Sequence, residues 1–327
     1  MTKKIKSRCI ISSAAFAVKK SLITQYDPLI QKPPVIGDLV FGEVSTLGHH
    51  SIIESKSSRK HTLNVGTRAI FVFGNRYAPD QFEGIVPKLS QEFVDLFSQG
   101  GVIGNVKTQS QLIGVPTKIK VLGYVCDNRG NVINTTKHKL INPNNDKKNK
   151  GRAKLILCVG TSMNSGKTHA AAACCYAISS MGKSSRAAKI TGTASLKDIL
   201  LMNDCGADHV VDFTYFGYPS TYMMEEAKLL EMFRKFDDKY GNNPKNYIVV
   251  EFADGIFQRE TAMLLKIPEI QERIDKLIFC APDSIAVYGG IKALHEKFAL
   301  TPDAISGLCS SSPLAIREIK EFTDIPI

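Results

Sequence analysis

Lys167 and Thr168 close the nonapeptide Gly160-Thr-Ser-Met-Asn-Ser-Gly-Lys-Thr168, which sits between an apolar run, Leu155–Val159, and an Ala-rich stretch. These residue types suit the holding of phosphate. The small residues Ser162, Ser165 and Gly166 let main chain approach phosphate oxygens. Loop N–H groups can point at those oxygens, and the positive end of a following helix adds to the attraction. Lys167 is spaced to reach the terminal phosphates, and the Thr168 hydroxyl to ligate Mg²⁺. Gly160 stands one residue earlier than the common GxxxxGK[ST] pattern allows, so the match is G-x5-G-K-T with Gly166-Lys167-Thr168 intact. Gly160, Thr161, Asn164, Ser165, Gly166, Lys167 and Thr168 are therefore the candidate nucleotide site, for ATP or GTP with Mg²⁺. The competing use, an ordinary Gly/Ser turn carrying a lysine, gives no reason for a strand before it and a helix after it.

A phosphate loop needs acidic help to hold a metal and orient a nucleophile. Tyr247-Ile-Val-Val-Glu251-Phe-Ala-Asp254-Gly255 offers it. Glu251 ends an apolar strand, where an unpartnered carboxylate is costly and so calls for a task. Asp254 admits three uses: a second ligand, a water-positioning base, or a helix N-cap. Lys167, Glu251 and Asp254 are the candidate catalytic set. Asp212, at another strand end, is the candidate second acidic metal contact beside Thr168 and Glu251, with Asp198 as the weaker alternative. Lys189 and Thr191, in Lys189-Ile-Thr-Gly-Thr193, are candidate substrate contacts or parts of a plain glycine turn. Arg76, in the loop Gly74-Asn-Arg-Tyr-Ala-Pro-Asp-Gln-Phe-Glu83, is a third candidate for substrate, against a structural turn in which Tyr77 and Phe82 pack down. Arg259 is expected to pair with Glu260 rather than to touch phosphate.

GTSMNSGKT resembles the GTxxxxGK[ST] loop of dethiobiotin synthetase and of the cobyrinic-acid amidase group. Both belong to the SIMIBI class of P-loop proteins, as do MinD and ParA. The early lysine of MinD and ParA would fall within Ser162–Ser165 and is absent, which sets the loop on the metabolic-enzyme side of the class. Tyr247–Gly255 is similar to the VEGAGG segment of dethiobiotin synthetase, with Glu251 on the metal-facing Glu and Asp254 where that family has glycine. Lys189–Thr193 stands where the family has a K-P-x-x-[ST]-G turn beside its substrate, here without the proline. Asp208-His-Val-Val-Asp212-Phe213 resembles the D-x-x-x-D-F segment of the DUF1611 P-loop family. The resemblance covers the second half of the chain. It implies an Mg-dependent NTPase or ligase-like enzyme that spends a nucleoside triphosphate on a small molecule. The other class kept open is a nucleotide-dependent switch or nucleic-acid-associated ATPase.

The elements needed to position these residues can be read along the chain. In the second region strand candidates 154–159, 187–190, 209–213, 247–252, 276–280 and 304–308 alternate with helical patterns 168–181, 196–203, 221–236, 258–265, 285–297 and 313–322. Such alternation predicts right-handed βαβ units and a parallel sheet. The first region is strand-rich at 35–44, 61–65, 68–73 and 118–126, with Gly turns and one expected helix at 88–97. A small barrel follows from short strands of this kind. The fold class is α/β: a parallel-sheet P-loop domain at 154–327, preceded by a β-rich domain at 1–141 and a polar linker at 142–153.

Bulk composition bounds the rest. The chain has 327 residues, 43% of them hydrophobic, and a net charge of +11. The positive excess favours anionic partners: the nucleotide itself and, as an open alternative, nucleic acid. Trp is absent, which weakens any base-stacking platform on the barrel. Eight cysteines form no C-x-x-C pair, a usage that fits a reducing compartment and no zinc site. His49, His50 and His61 have no companion ligand at convincing spacing. The basic, partly apolar N-terminal segment reads better as a first strand or helix than as a signal peptide. Without 18 unbroken apolar residues, no membrane span is expected. A cytoplasmic homo-dimer completes the expectation.

Overall fold

The computed structural model describes residues 2–6, 9–141 and 151–327. The expected linker falls mostly on 142–150, outside the described residues. Its last residue, Ala153, is buried and donates its N–H to Gly241 O at 2.8 Å. Two compact units divide the chain: Met1–Ile141 with Gly192–Lys197 and Phe213–Tyr222, and Asn142–Thr191 with Asp198–Asp212 and Met223–Ile327. The sequence reading places 192–197 and 213–222 in the second region, but they group with the first unit.

In the first unit, Leu39–Thr46 pairs antiparallel with Thr117–Cys126 on one side and Arg68–Phe73 on the other. Arg68–Phe73 runs parallel to Val102–Gln109. Val102–Gln109 pairs with Phe93–Leu96, which pairs in turn with Thr117–Cys126. These five strands thus close into a ring, the barrel expected from the sequence, and closure removes open edges. Alternate residues fill it: Val40 and Val44, Ala69, Phe71 and Phe73, Val94 and Leu96, with Ile103 and Ile119, as a period of two requires.

The helix expected at 88–97 is not formed. Phe93–Leu96 is a strand, Leu89 and Phe93 are exposed, and Val94, Leu96 and Phe97 are buried. Of the four apolar residues at helical spacing, Leu89 and Phe93 are exposed while Leu96 and Phe97 are buried, so the 3.6-residue period marks no common face there.

The second unit is built on β1 (Lys154–Gly160), β2 (Ser185–Lys189), β3 (His209–Asp212), β4 (Tyr247–Glu251), β5 (Lys276–Cys280) and β6 (Ala304–Ser306). Their order is β3-β2-β4-β1-β5-β6, with every pair parallel. The connecting helices are α1 (Lys167–Ser180), α2 (Lys197–Asp204), α3 (Glu226–Tyr240), α4 (Arg259–Lys266), α5 (Pro268–Arg273), α6 (Ser284–Phe298) and α7 (Pro313–Lys320). Leu155, Leu157, Cys158 and Val159 of β1 are all buried, the near-continuous burial of a strand in a covered parallel sheet. The Ala-rich face of α1 serves the same end. Ala170, Ala171, Cys175 and Ile178 pack in one cluster with Cys158, Ala187 and Val249, and their small volume brings the helix close to the sheet. Among the described residues no helix is long and apolar enough to cross a membrane.

Candidate functional site

The strand order sets the site. From β1 the chain moves to β2 on one side and later to β5 on the other, so direction reverses beside β1. Ligands of open α/β sheets bind at the carboxyl ends of strands at such a point. The nonapeptide leaves β1 there and leads directly into α1.

Two glycines shape the loop. A Cβ on Gly160 would lie 2.3 Å from Ser165 Oγ and 2.6 Å from Cys280 O. Gly166 caps α1 at φ 96°, in the left-handed region that glycine takes without strain. Asn164 is also left-handed, at φ 62°, which Asn tolerates better than most residues. Thr161 donates its N–H to Cys280 O at 3.0 Å, tying the loop to β5. Thr168 is half-buried in the first turn of α1.

Lys167 is buried and bends back into the loop. Its Nζ donates to Ser162 O at 2.6 Å and to Ser165 Oγ at 3.3 Å. Burial lowers its pKa and the Lys189 charge adds to that, while the carboxylates of Glu251 and Asp254 oppose it. The ammonium is thus held by neutral oxygens at the place where phosphate charge would be offset.

Glu251 ends β4, the strand adjacent to β1, and is 1% exposed. Its Oε1 lies 3.2 Å from Lys189 Nζ, and its Oε2 is buried with no hydrogen-bond partner among the described residues. Lys189 is opposite Glu251 across β2 and β4 and opposite Asp212 across β2 and β3. Asp212 is buried at the end of β3, two strands from Glu251, or about 10 Å of sheet at the usual strand spacing. Lys189 also pairs with Asp198 in the first turn of α2. Burial alone would lower the Lys189 pKa, but the Asp198 and Glu251 charges outweigh it and hold the ammonium well above its ordinary value.

The turn after β4 rests on the phosphate loop. Ile256 donates to Gly160 O at 2.9 Å, and a Cβ on Gly255 would lie 2.1 Å from Thr161 O. Asp254 stands in that turn at φ 59°. It is not the N-cap of α4: Gln258 is, with its side chain accepting from Thr261 N. Cap preference favours Asp, but the chain makes a further turn before the helix begins.

Of the three substrate candidates, Lys189 and Thr191 stand in the second unit and Arg76 in the first. Thr191 is 1% exposed, and its Oγ1 accepts from Ala253 N at 2.7 Å. Lys189 is engaged by two carboxylates. Arg76 belongs to the first unit, where it is buried, meets His50 Nε2 at 3.1 Å and donates to Gln81 Oε1 at 2.7 Å. Its loop is a packed turn: Phe82 is buried, and Asn75 Oδ1 accepts from Val86 N. Arg259 pairs with Glu260 as expected. Sequence reading missed Gly307, whose main chain packs against Gly166. No local pattern announces a contact between glycines so far apart.

The donors suit a hard cation. Mg²⁺ is commonly held by one or two carboxylates plus phosphate oxygens and waters. Glu251, with one oxygen anchored and the other buried without a partner among the described residues, fits that use, as does the Thr168 hydroxyl beside the cradle. Among the described residues no cluster of three or more His, Cys, Asp or Glu side chains could hold a metal by itself.

No family model matches the sequence, and no curated protein matches it. Among solved structures the chain is similar to FtsY from Mycoplasma mycoides, at 14% identity and a TM-score of 0.34. That likeness covers 59% of this chain and 64% of that one, so the chain spans less than two thirds of it. The strand order and the loop geometry themselves define the class of the second unit: an α/β parallel-sheet domain of the P-loop type. The first unit is a closed β-barrel.

Proposed function

We propose that the second unit binds ATP or GTP with Mg²⁺ and hydrolyses it or transfers its phosphate, as a SIMIBI-type enzyme similar to dethiobiotin synthetase. The observation that carries this reading is the Gly160–Thr168 loop, held between β1 and α1 with the buried carboxylate of Glu251 on the adjacent strand. Loop amides and Lys167 offset phosphate charge. Thr168 and Glu251 are the residues that would hold Mg²⁺, which when bound would neutralise charge developing on the phosphate being transferred. Sheet spacing favours Glu251 over Asp212 for that role. Asp254, in the turn packed on the loop, is the candidate for orienting the attacking group. Positioning and fixed charge do most of the work in phosphoryl transfer, and the phosphate acceptor on this reading is a small molecule or water.

The net charge of +11 supports a second reading, a nucleic-acid-associated ATPase with the barrel as reader. One experiment separates the two: nucleotide turnover by wild type and by Lys167→Ala, with and without single-stranded DNA or RNA. Turnover lost in Lys167→Ala and unaffected by nucleic acid supports the first reading. Stimulation by nucleic acid moves the assignment to the second. Tight nucleotide binding with no turnover under any condition would defeat both.

A further inference from the structure

Glu251 is asymmetric. One carboxylate oxygen is tied to Lys189 Nζ at 3.2 Å, and the other is buried without a partner among the described residues. Lys189 does not reach Glu251 from solvent. It bridges Glu251 to Asp198, with side-chain exposures of 13% for Lys189, 17% for Asp198 and 1% for Glu251. We infer that the Asp198–Lys189 pair is a positioning device for Glu251, fixing its rotamer so that Oε2 is the oxygen presented to a divalent cation. This rests on the nucleotide–Mg²⁺ reading above.

Two physical points carry the inference. The first is orientation. A carboxylate that binds metal through one oxygen needs the other held, and such outer partners typically matter about 10–100-fold for metal affinity. The lysine at the level of Glu251 on the neighbouring strand provides that hold, and the register of β2 against β4 fixes where it acts. The second is charge. A lysine paired to Glu251 alone would be the counter-ion of that carboxylate and would compete with a cation. Asp198 supplies the lysine with a separate negative charge, so the carboxylate of Glu251 is left for the metal. Asp198 also stands in the first turn of α2, where a negative charge stabilises any helix. That role affects folding and has no bearing on metal affinity, so the two can be separated.

The test uses the full chain and reads metal binding without turnover. Mn²⁺ replaces Mg²⁺, and its affinity for the complex with a non-hydrolysable ATP analogue is followed by the loss of the free Mn²⁺ electron paramagnetic resonance signal. Analogue affinity is measured separately in EDTA. Asp198→Asn is expected to weaken Mn²⁺ by about tenfold or more while leaving metal-free analogue affinity unchanged. Asp198→Ser, which removes the same charge in less volume, carries the same expectation should the first variant not fold. Asp198→Glu is expected to restore most of the affinity. Glu251→Gln is the control. If Glu251→Gln weakens Mn²⁺ and the Asp198 variants bind it as wild type does, the positioning device is overturned and the metal role of Glu251 stands. If Glu251→Gln also binds Mn²⁺ as wild type, the metal role of Glu251 has failed, and the inference with it. Equal losses of Mn²⁺ and metal-free analogue affinity in the Asp198 variants mark general damage and overturn the inference as well.

Discussion

A Cβ on Gly166 would lie 2.6 Å from the Cα of Gly307, so the phosphate loop and the turn after β6 meet main chain to main chain. Gly307 stands at φ 102° and ψ −156°, a region essentially reserved for glycine. A Cβ there would also lie 2.3 Å from Ser165 O. Backbone strain and overpacking together predict that Gly307→Ala costs about 2–4 kcal/mol, read by urea unfolding, and weakens nucleotide binding through the displaced loop. Gly289, exposed in α6 with nothing within 4 Å of an added Cβ, gives the opposite sign. Gly289→Ala should stabilise by about 0.5–1 kcal/mol. Equal stability of Gly307→Ala and wild type would show that the two turns do not pack as described.

Thr191 and Thr261 join the turns after β2 and β4. Thr191 Oγ1 accepts from Ala253 N at 2.7 Å, and Thr261 Oγ1 donates to Ala253 O at 2.7 Å. Both side chains are 1% exposed. Thr191→Val keeps the shape and removes the acceptor, stranding a buried N–H. The expected cost is about 1–3 kcal/mol, with Thr191→Ser recovering most of it. If Thr191 instead contacted substrate, Val would leave the unfolding midpoint unchanged and raise KM.

Much of the second unit was legible because its signals are local. Strand β1, the nonapeptide and the Ala-rich start of α1 follow one another in sequence, and Glu251 is conspicuous as an acid closing an apolar strand. The barrel strands expected at 68–73 and 118–126 were also visible from their apolar runs. What local pattern could not supply is register. The pairing of Lys189 with Glu251 and Asp198 depends on which strands lie side by side, so the sequence offers Lys189 only as a substrate contact or as part of a glycine turn. The 88–97 segment failed for a related reason. Its apolar residues fit a helical period, but ring closure between Val102–Gln109 and Thr117–Cys126 claims Phe93–Leu96 as a strand. The grouping of 192–197 and 213–222 with the first unit has no sequence signal, since both follow ordinary strand ends.

His50 makes the first unit sensitive to acid. Its Nε2 lies 2.6 Å from Phe97 O and 3.1 Å from Arg76 Nη1. Burial first, and then the Arg76 charge, push its pKa down to about 3 from an ordinary 6.5. Between those values the unfolded chain binds a proton that the folded chain does not. Stability from this group is therefore full above pH 6.5 and is lost as pH falls toward 3. The slope from one such group approaches about 1.4 kcal/mol per pH unit. Unfolding free energies measured from pH 7 to pH 4 should fall more steeply for wild type than for His50→Gln, which cannot take up the proton. Parallel pH profiles for the two proteins would remove His50 as the source.

Asp254 separates backbone from chemistry. Its φ of 59° costs an ordinary residue about 1–2 kcal/mol, while Gly and Asn bear it more readily. Backbone preference therefore ranks Asp254→Gly and Asp254→Asn above Asp254→Val, which should fall below Asp254→Asn by about that amount. The carboxylate is a different matter, since it lies close enough to Lys167 to oppose the lowering of that lysine's pKa. If it orients or deprotonates the attacking group, Asp254→Asn should lower kcat by about 100-fold or more with nucleotide affinity in EDTA unchanged. Asp254→Gly should do the same, because neither variant disturbs the turn that Ile256 and Gly255 hold against the loop. Wild-type kcat in both variants would leave Asp254 with a conformational role alone and would pass the task of orienting the nucleophile to another group at the carboxyl ends of the strands.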